Sequence, residues 1–137
     1  MFSSEVQIRV RYSETDRMGY VYYGNYAAYL EVARVEALRS MGITYKEMED
    51  SGIVLPVLEY KIKYIKPAYY DELLTIKTFI ETLPAARIHF RYEMLNESKV
   101  LLNIAETTLV FINRNTQRPC PAPDYFMEKI RPYFTQS

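Results

Sequence analysis

Tryptophan is absent from this chain, and cysteine and histidine occur once each, as Cys120 and His89. A lone cysteine excludes an intrachain disulfide and fits a reducing cytosol. With a lone histidine beside it, a structural zinc site is not expected. A surplus of charge is missing as well, with 17 Lys and Arg against 17 Asp and Glu. No net field recruits nucleic acid or an anionic membrane, although this balance still allows a local basic patch. No apolar run approaches the ~20 residues of a membrane span. Residues 1–10 alternate as a strand and carry Glu5 and Arg9, which is not the pattern of a signal peptide. With 4 glycines, the chain has no Gly-rich phosphate loop and no Gly-x-Ser-x-Gly nucleophile turn. The expected location is cytoplasmic, with no nucleic-acid partner.

What is present is an ordinary globular composition, 49% hydrophobic and 25% charged over 137 residues. That is one domain, residues 1–137, large enough for a real core. The 14 tyrosines stand out. A tyrosine tolerates one dry face and one wet end, so half-buried and interface positions are expected.

Val6, Ile8, Val10 and Tyr12 alternate with polar residues, the period of a half-buried strand. From Tyr26 to Met41 the period becomes helical: Tyr26, Tyr29, Leu30, Ala33, Ala37 and Met41 fall on one arc, with Glu31, Arg34, Glu36 and Arg39 elsewhere on the wheel. Gly42 stands where a C-terminal cap belongs. Thr44, with Glu47 three residues on, predicts a further helical turn or two. Strand periods return at Leu58–Tyr64, Leu74–Ile80 and Ile88–Met94, separated by Pro67, Pro84 and the Asn96-Glu97-Ser98 turn. Val100 to Ile112 is apolar on both parities, so both faces are expected to be covered. After a proline-rich tail, Asp124 is the expected cap of a short helix through Ile130. One helix followed by successive strands predicts an α+β architecture, an antiparallel sheet with the helix on one face. One principal helix cannot cover both faces of five strands, so dimerisation is the expected remedy.

The most informative segment runs Tyr12-Ser13-Glu14-Thr15-Asp16-Arg17-Met18-Gly19-Tyr20-Val21-Tyr22-Tyr23-Gly24-Asn25-Tyr26. It sets a lone carboxylate, Asp16, just before a helix N-terminus, where free N–H groups and the positive dipole end can hold a developing negative charge. A carboxylate beside an oxyanion-binding helix end is a kit for acyl transfer to water. By spacing alone, an aspartate before a helix is more often a cap or turn residue.

This segment resembles the hotdog-fold acyl-CoA thioesterases, closest to the 4-hydroxybenzoyl-CoA thioesterase branch and its Tol-Pal-linked relatives. Ala33-Arg34-Val35-Glu36 and the stretch from Tyr64 to Leu73, with Pro67 and Asp71, are similar to later signatures of that family. The resemblance implies a curved five-stranded antiparallel sheet wrapped around one long central helix. It also implies homodimers or homotetramers with active sites at the dimer interface. It makes Asp16 the catalytic carboxylate and gives the backbone N–H of Tyr23 the task of polarising the thioester carbonyl. Gly19 belongs to the tight turn between them, Asn25 supports that turn, and Tyr12 and Tyr22 join the substrate-binding set. Tol-Pal-linked members often carry histidine where this chain has Tyr23, so no imidazole acts at that position.

The implied reaction turns an acyl-CoA and water into a carboxylic acid and free CoA, with Asp16 as nucleophile or general base. No separate cofactor is implied, because CoA belongs to the substrate. Alternatives are an acyl-carrier-protein thioesterase and a non-catalytic acyl-thioester binder; dehydratase activity is disfavoured because His89 is far from the motif. Glu31 and Glu36 read as ion-pair partners of Arg34 and Arg39, His89 as a solvated or interface residue, and Cys120 as structural. Lys61, Lys63, Lys66, Arg87 and Arg91 are solvated strand cations that could reach the phosphates of a CoA tail.

Overall fold

The computed structural model describes residues 1–134. Strand β1 (Phe2–Arg9) leads through a 3-10 turn (Tyr12–Glu14) into helix α1 (Gly24–Ser40). There follow α2 (Tyr45–Asp50), β2 (Ile53–Val54), β3 (Val57–Tyr64), β4 (Leu73–Ile80), β5 (Arg87–Leu95) and β6 (Leu101–Val110). Two short strands, β7 (Ile112–Asn113) and β8 (Arg118–Pro119), precede α3 (Asp124–Ile130) and a final 3-10 turn (Arg131–Tyr133). Five strands form an antiparallel sheet in the order β1-β4-β5-β6-β3, and β2-β7-β8 form a second, small sheet. The α+β architecture with a five-stranded antiparallel sheet is as expected from the sequence.

α1 buries the arc that its period predicts, Tyr26, Tyr29, Leu30, Ala33 and Ala37, and packs nearest to β1 and β4. Its C-terminus closes with Gly42 at φ +84°, a left-handed conformation that favours glycine. The Gly42 N–H donates to the Arg39 carbonyl at 2.9 Å and the Ile43 N–H to Leu38 at 3.0 Å, so two end carbonyls are satisfied and Ile43 is delivered into the core. Thr44 caps α2 as predicted, its Oγ1 accepting from the Glu47 N–H at 3.2 Å.

Four expectations need correction. The first strand stops at Arg9, and Tyr12 opens the 3-10 turn instead of extending the alternation. Arg34 is not on the solvent flank of α1: it is 6% exposed, because Tyr45 and Tyr92, remote in sequence, close over it. β6 does not have both faces covered, since Ile104 remains 38% exposed. Its double parity comes from an irregularity in the ladder, where Met94 pairs with Asn103 but Leu95 with Leu101; Leu102 is the extra residue, and it is buried alongside Asn103. Finally, Pro123 occupies the N-cap of α3, and Asp124 is the first helical residue, where its charge still complements the dipole.

One edge of the sheet is left uncovered. Tyr60, Ile62 and Tyr64 of β3 pair with Thr107, Ala105 and Asn103 of β6, all three buried, so the β3 residues share the inward face. Because α1 packs most closely on β1 and β4 and meets β3 only across open cavities, Leu58, Tyr60, Tyr64 and Ile65 stay exposed.

Candidate active site

Between β1 and α1 the backbone folds on Asp16. The Asp16 N–H donates to the Tyr20 carbonyl at 2.8 Å, and the Gly19 N–H donates to the Asp16 carbonyl at 3.0 Å. Its side chain completes the loop: Oδ1 accepts from the N–H groups of Met18 at 2.9 Å and Tyr20 at 3.2 Å. An aspartate that bonds the backbone two residues on is a turn former by its own chemistry. Here the turn fixes one carboxylate oxygen and leaves Oδ2 without a hydrogen bond among the described residues. Gly19 lies at φ +80° with nothing within 4 Å of the position a Cβ would take, so backbone conformation, not space, calls for glycine.

Glu14 ties this loop to the helix. Its carboxylate accepts from the Arg11 N–H at 2.8 Å, from the Arg11 guanidinium at 2.8 Å and from the Tyr29 hydroxyl at 2.8 Å. Its carbonyl accepts from the Tyr22 N–H at 2.8 Å and from Asn25 Nδ2 at 2.9 Å. Burial pushes the Glu14 carboxyl up, but the hydrogen bonds from Arg11 and Tyr29 outweigh it and hold the group below its ordinary value. Tyr29 is raised by burial and, next, by its hydrogen bond to the Glu14 carboxylate.

At the start of α1, Tyr23 is the N-cap and Gly24 the first helical residue. The Asn25 N–H bonds the Tyr22 carbonyl, whereas the N–H groups of Tyr23 and Gly24 have no acceptor among the described residues. Gly24 admits the Tyr22 ring, since a Cβ there would stand 2.9 Å from Tyr22 Cε2. Asp16 and Tyr23 line one cavity of about 380 Å³ together with Tyr20, Tyr26, Tyr64 and Lys66. Its far wall is anchored by Val21 N–H to the Ala68 carbonyl at 2.8 Å and Ala68 N–H to the Tyr26 hydroxyl at 3.2 Å.

Of the residues read from sequence, Asp16 and Tyr23 thus meet at one cavity, with Gly19 in the turn beneath. Asn25 faces Glu14 as a brace. Tyr12 packs edge-on against Tyr70 and borders a separate concavity with Ser13, Thr15, Asp16 and Arg17. The exposed Tyr22 ring lies 4.7 Å from that of Tyr23. Glu31 and Glu36 do pair with Arg34 and Arg39, at 3.9 and 3.3 Å. His89 bonds Glu106 at 2.9 Å on the outer strand faces. Of the strand cations, Lys66 lines the cavity of Asp16, while Lys61, Lys63 and Arg91 gather at another with Glu93 and Glu106. Among the described residues, no three His, Cys, Asp or Glu side chains are grouped to hold a metal ion. The bracing role of Glu14 was missed in the sequence; its signal is the Arg11–Glu14 spacing of a reciprocal cap.

The family model of the thioesterase-like superfamily matches residues 10–130, from the end of β1 to the end of α3. The chain belongs to that superfamily. It is 30% identical over 124 residues to the acyl-CoA thioester hydrolase YbgC of Escherichia coli O157:H7, covering 90% of this chain and 92% of that protein. It is 31% identical over 135 residues to the acyl-acyl carrier protein thioesterase ATL3, chloroplastic, of Arabidopsis thaliana, covering 96% and 70%. The DHNA-CoA thioesterase from Staphylococcus aureus superimposes with a TM-score of 0.90 at 36% identity, covering 98% of this chain and 90% of that one. The resemblance to hotdog thioesterases read from the motif is borne out. No helix among the described residues is long and apolar enough to cross a membrane.

Proposed function

We propose that this protein is an acyl-CoA thioesterase in which Asp16 and the N-terminus of α1 act on the two sides of one thioester. The observation that carries this reading is the shared cavity: Asp16, held by its turn with Oδ2 unpaired, and Tyr23, at a helix end with two unbonded N–H groups. A thioester carbonyl oxygen placed at the N–H groups of Tyr23 and Gly24 would be polarised by them and by the dipole. One such donor is worth about 3 kcal/mol in barrier height. Asp16 Oδ2 then either attacks the carbonyl carbon, giving a mixed anhydride that water opens, or takes a proton from an attacking water. In both routes the C–S bond breaks, the sulfur leaves as the CoA thiolate, and one water is consumed. That water supplies the acid's oxygen directly in the general-base route, or in the anhydride route when it attacks the acyl carbon. Gly19 and Asn25 support the geometry, and Tyr12 and Tyr22 flank the approach.

The reading includes the quaternary state. A curved sheet wrapped around α1 and paired through β3 into dimers or tetramers would cover the exposed inward side of that strand and bring a second chain to the cavity mouth. The balanced charge and lone cysteine suit a cytoplasmic enzyme. A carrier-protein-bound acyl group is the second reading, favoured by the similarity to ATL3.

The test is free-thiol release from a panel of aliphatic and aromatic acyl-CoAs and one acyl carrier protein. The parent is expected to turn over at least one member, and Asp16→Asn to lose about 10²–10⁴ in kcat. Turnover that survives the substitution reduces Asp16 to a turn former. Binding without turnover by either protein identifies an acyl-thioester binder.

A further inference from the structure

Arg34 is the polar group of the fold that the chemistry above leaves unused. It is buried on α1 with the hydroxyls of Tyr45 and Tyr92 facing its guanidinium, and its Nε is enclosed without a partner. Its one ion pair is long, Nη2 to Glu31 at 3.9 Å, and the Glu31 side chain is largely in solvent. A guanidinium carries five donors, and two tyrosine hydroxyls and a distant carboxylate do not satisfy them all, which is costly for an enclosed cation. Above it the Tyr45 hydroxyl is likewise enclosed and unpaired, while the Tyr92 hydroxyl is engaged with Thr107 at 2.6 Å.

Arg34 also borders a cavity of about 390 Å³, where Leu30, Val57, Tyr60 and Thr107 stand with one carboxylate, Glu31. This cavity and that of Asp16 lie along one groove between α1 and β3. Tyr26 and Tyr64 stand at one end, their ring centroids 5.4 Å apart, and Ala27 and Tyr60 one step further along the same two elements. The middle of the groove is apolar and aromatic, Asp16 and Lys66 stand at one end, and Arg34 with its unpartnered Nε stands with Glu31 and Thr107 at the other.

We infer that Arg34 is a specificity-determining residue: it receives an acceptor oxygen at the end of the acyl group remote from the thioester. This rests on the hydrolase reading for the position of the thioester. From Tyr23 to Arg34 the helix rises about 16 Å, and a helical side chain reaches back by one turn, about 5 Å, leaving about 11 Å. An extended acyl chain advances about 1.25 Å per bond, so roughly eight carbons with a terminal oxygen and its hydrogen bond span such a length. The shared chemistry is an oxygen acceptor, supplied by a carboxylate, which fits the guanidinium fork, or by a hydroxyl, which Glu31 does not repel.

The experiment compares octanoyl-CoA, 8-hydroxyoctanoyl-CoA and the CoA monothioester of suberic acid in the parent, Arg34→Met and Arg34→Lys. The parent is expected to favour at least one oxygen-ended substrate over octanoyl-CoA by tenfold or more in kcat/KM, and the better of the two identifies the group. In Arg34→Met that ratio is expected to fall to about one; in Arg34→Lys, which keeps the charge without the fork, to an intermediate value. Should Arg34→Met fail to fold by circular dichroism, Arg34→Lys and the ratio in the parent carry the decision. Equal rates on all three substrates in the parent, or a preference that persists in both variants, overturn the inference and assign the end of the groove to water or to a second copy of the chain. If none of the three is cleaved, the hydrolase reading fails for them, and calorimetric binding to the same proteins decides on Arg34 by the same ratios.

Discussion

Glu14 shows how much of this site is set by a residue that does not line the cavity of Asp16. Its carboxyl is held low by Arg11 and Tyr29 against the opposing effect of burial. A group with a depressed folded value contributes stability that is fully present above its unfolded range, about 4.3 for glutamate, and lost as pH falls through the lower folded value. Urea midpoints measured on the parent across the acid range are therefore expected to decline on acidification. In Glu14→Gln the decline should be shallower, because the titrating group is gone; an unchanged slope would show that other carboxylates govern acid stability. Asp16 and Tyr23 were legible in the chain because a carboxylate, a glycine turn and a helix start follow one another within a dozen residues. Glu14 was not, because its decisive partner Tyr29 is visible only once α1 is wound. Arg34 was misplaced for the same reason: its surroundings, Tyr45 and Tyr92, come from two other elements.

At the scale of elements, local periodicity gave the helix and the long strands to within a few residues. It could not give their order in the sheet, since β3 crosses to the far side of β6 and a pairing between distant segments leaves no periodic trace. The irregularity at Leu102 was hidden likewise, appearing in sequence only as apolar residues on both parities. α3 is a case where sequence showed a short helix but not its importance. Phe126 is fully buried with its ring 5.1 Å from that of Phe111, and Lys129 donates to the Gly42 carbonyl at 2.6 Å, fastening α3 to the end of α1. Phe126→Ala is expected to cost about 3–5 kcal/mol by chemical denaturation. A loss near 1 kcal/mol would mean that α3 collapses into the gap.

For the whole molecule, the uncovered edge matters most. Leu58 is 53% and Tyr64 49% exposed on a sheet edge, an arrangement that a lone chain in water disfavours. Sedimentation is expected to show a species of two or four chains, and Leu58→Lys to shift it toward the single chain with a parallel fall in thioesterase activity. A parent that sediments as one chain would refute the proposed pairing.

The bonds that Glu14 collects have a consequence for motion. The N–H groups of Asp16, Gly19, Tyr20, Val21 and Tyr22 are all bonded, although the segment lies outside every helix and strand of the sheet. Four of these bonds have Asp16 or Glu14 at one end, and the fifth, from Val21 to the Ala68 carbonyl, lies between them, so the loop is held as one interlocked set. It should open as a unit, and these five amides should exchange with solvent deuterium at one common rate. Tyr29→Phe, which removes one bond of about 1 kcal/mol, should accelerate all five together by roughly fivefold.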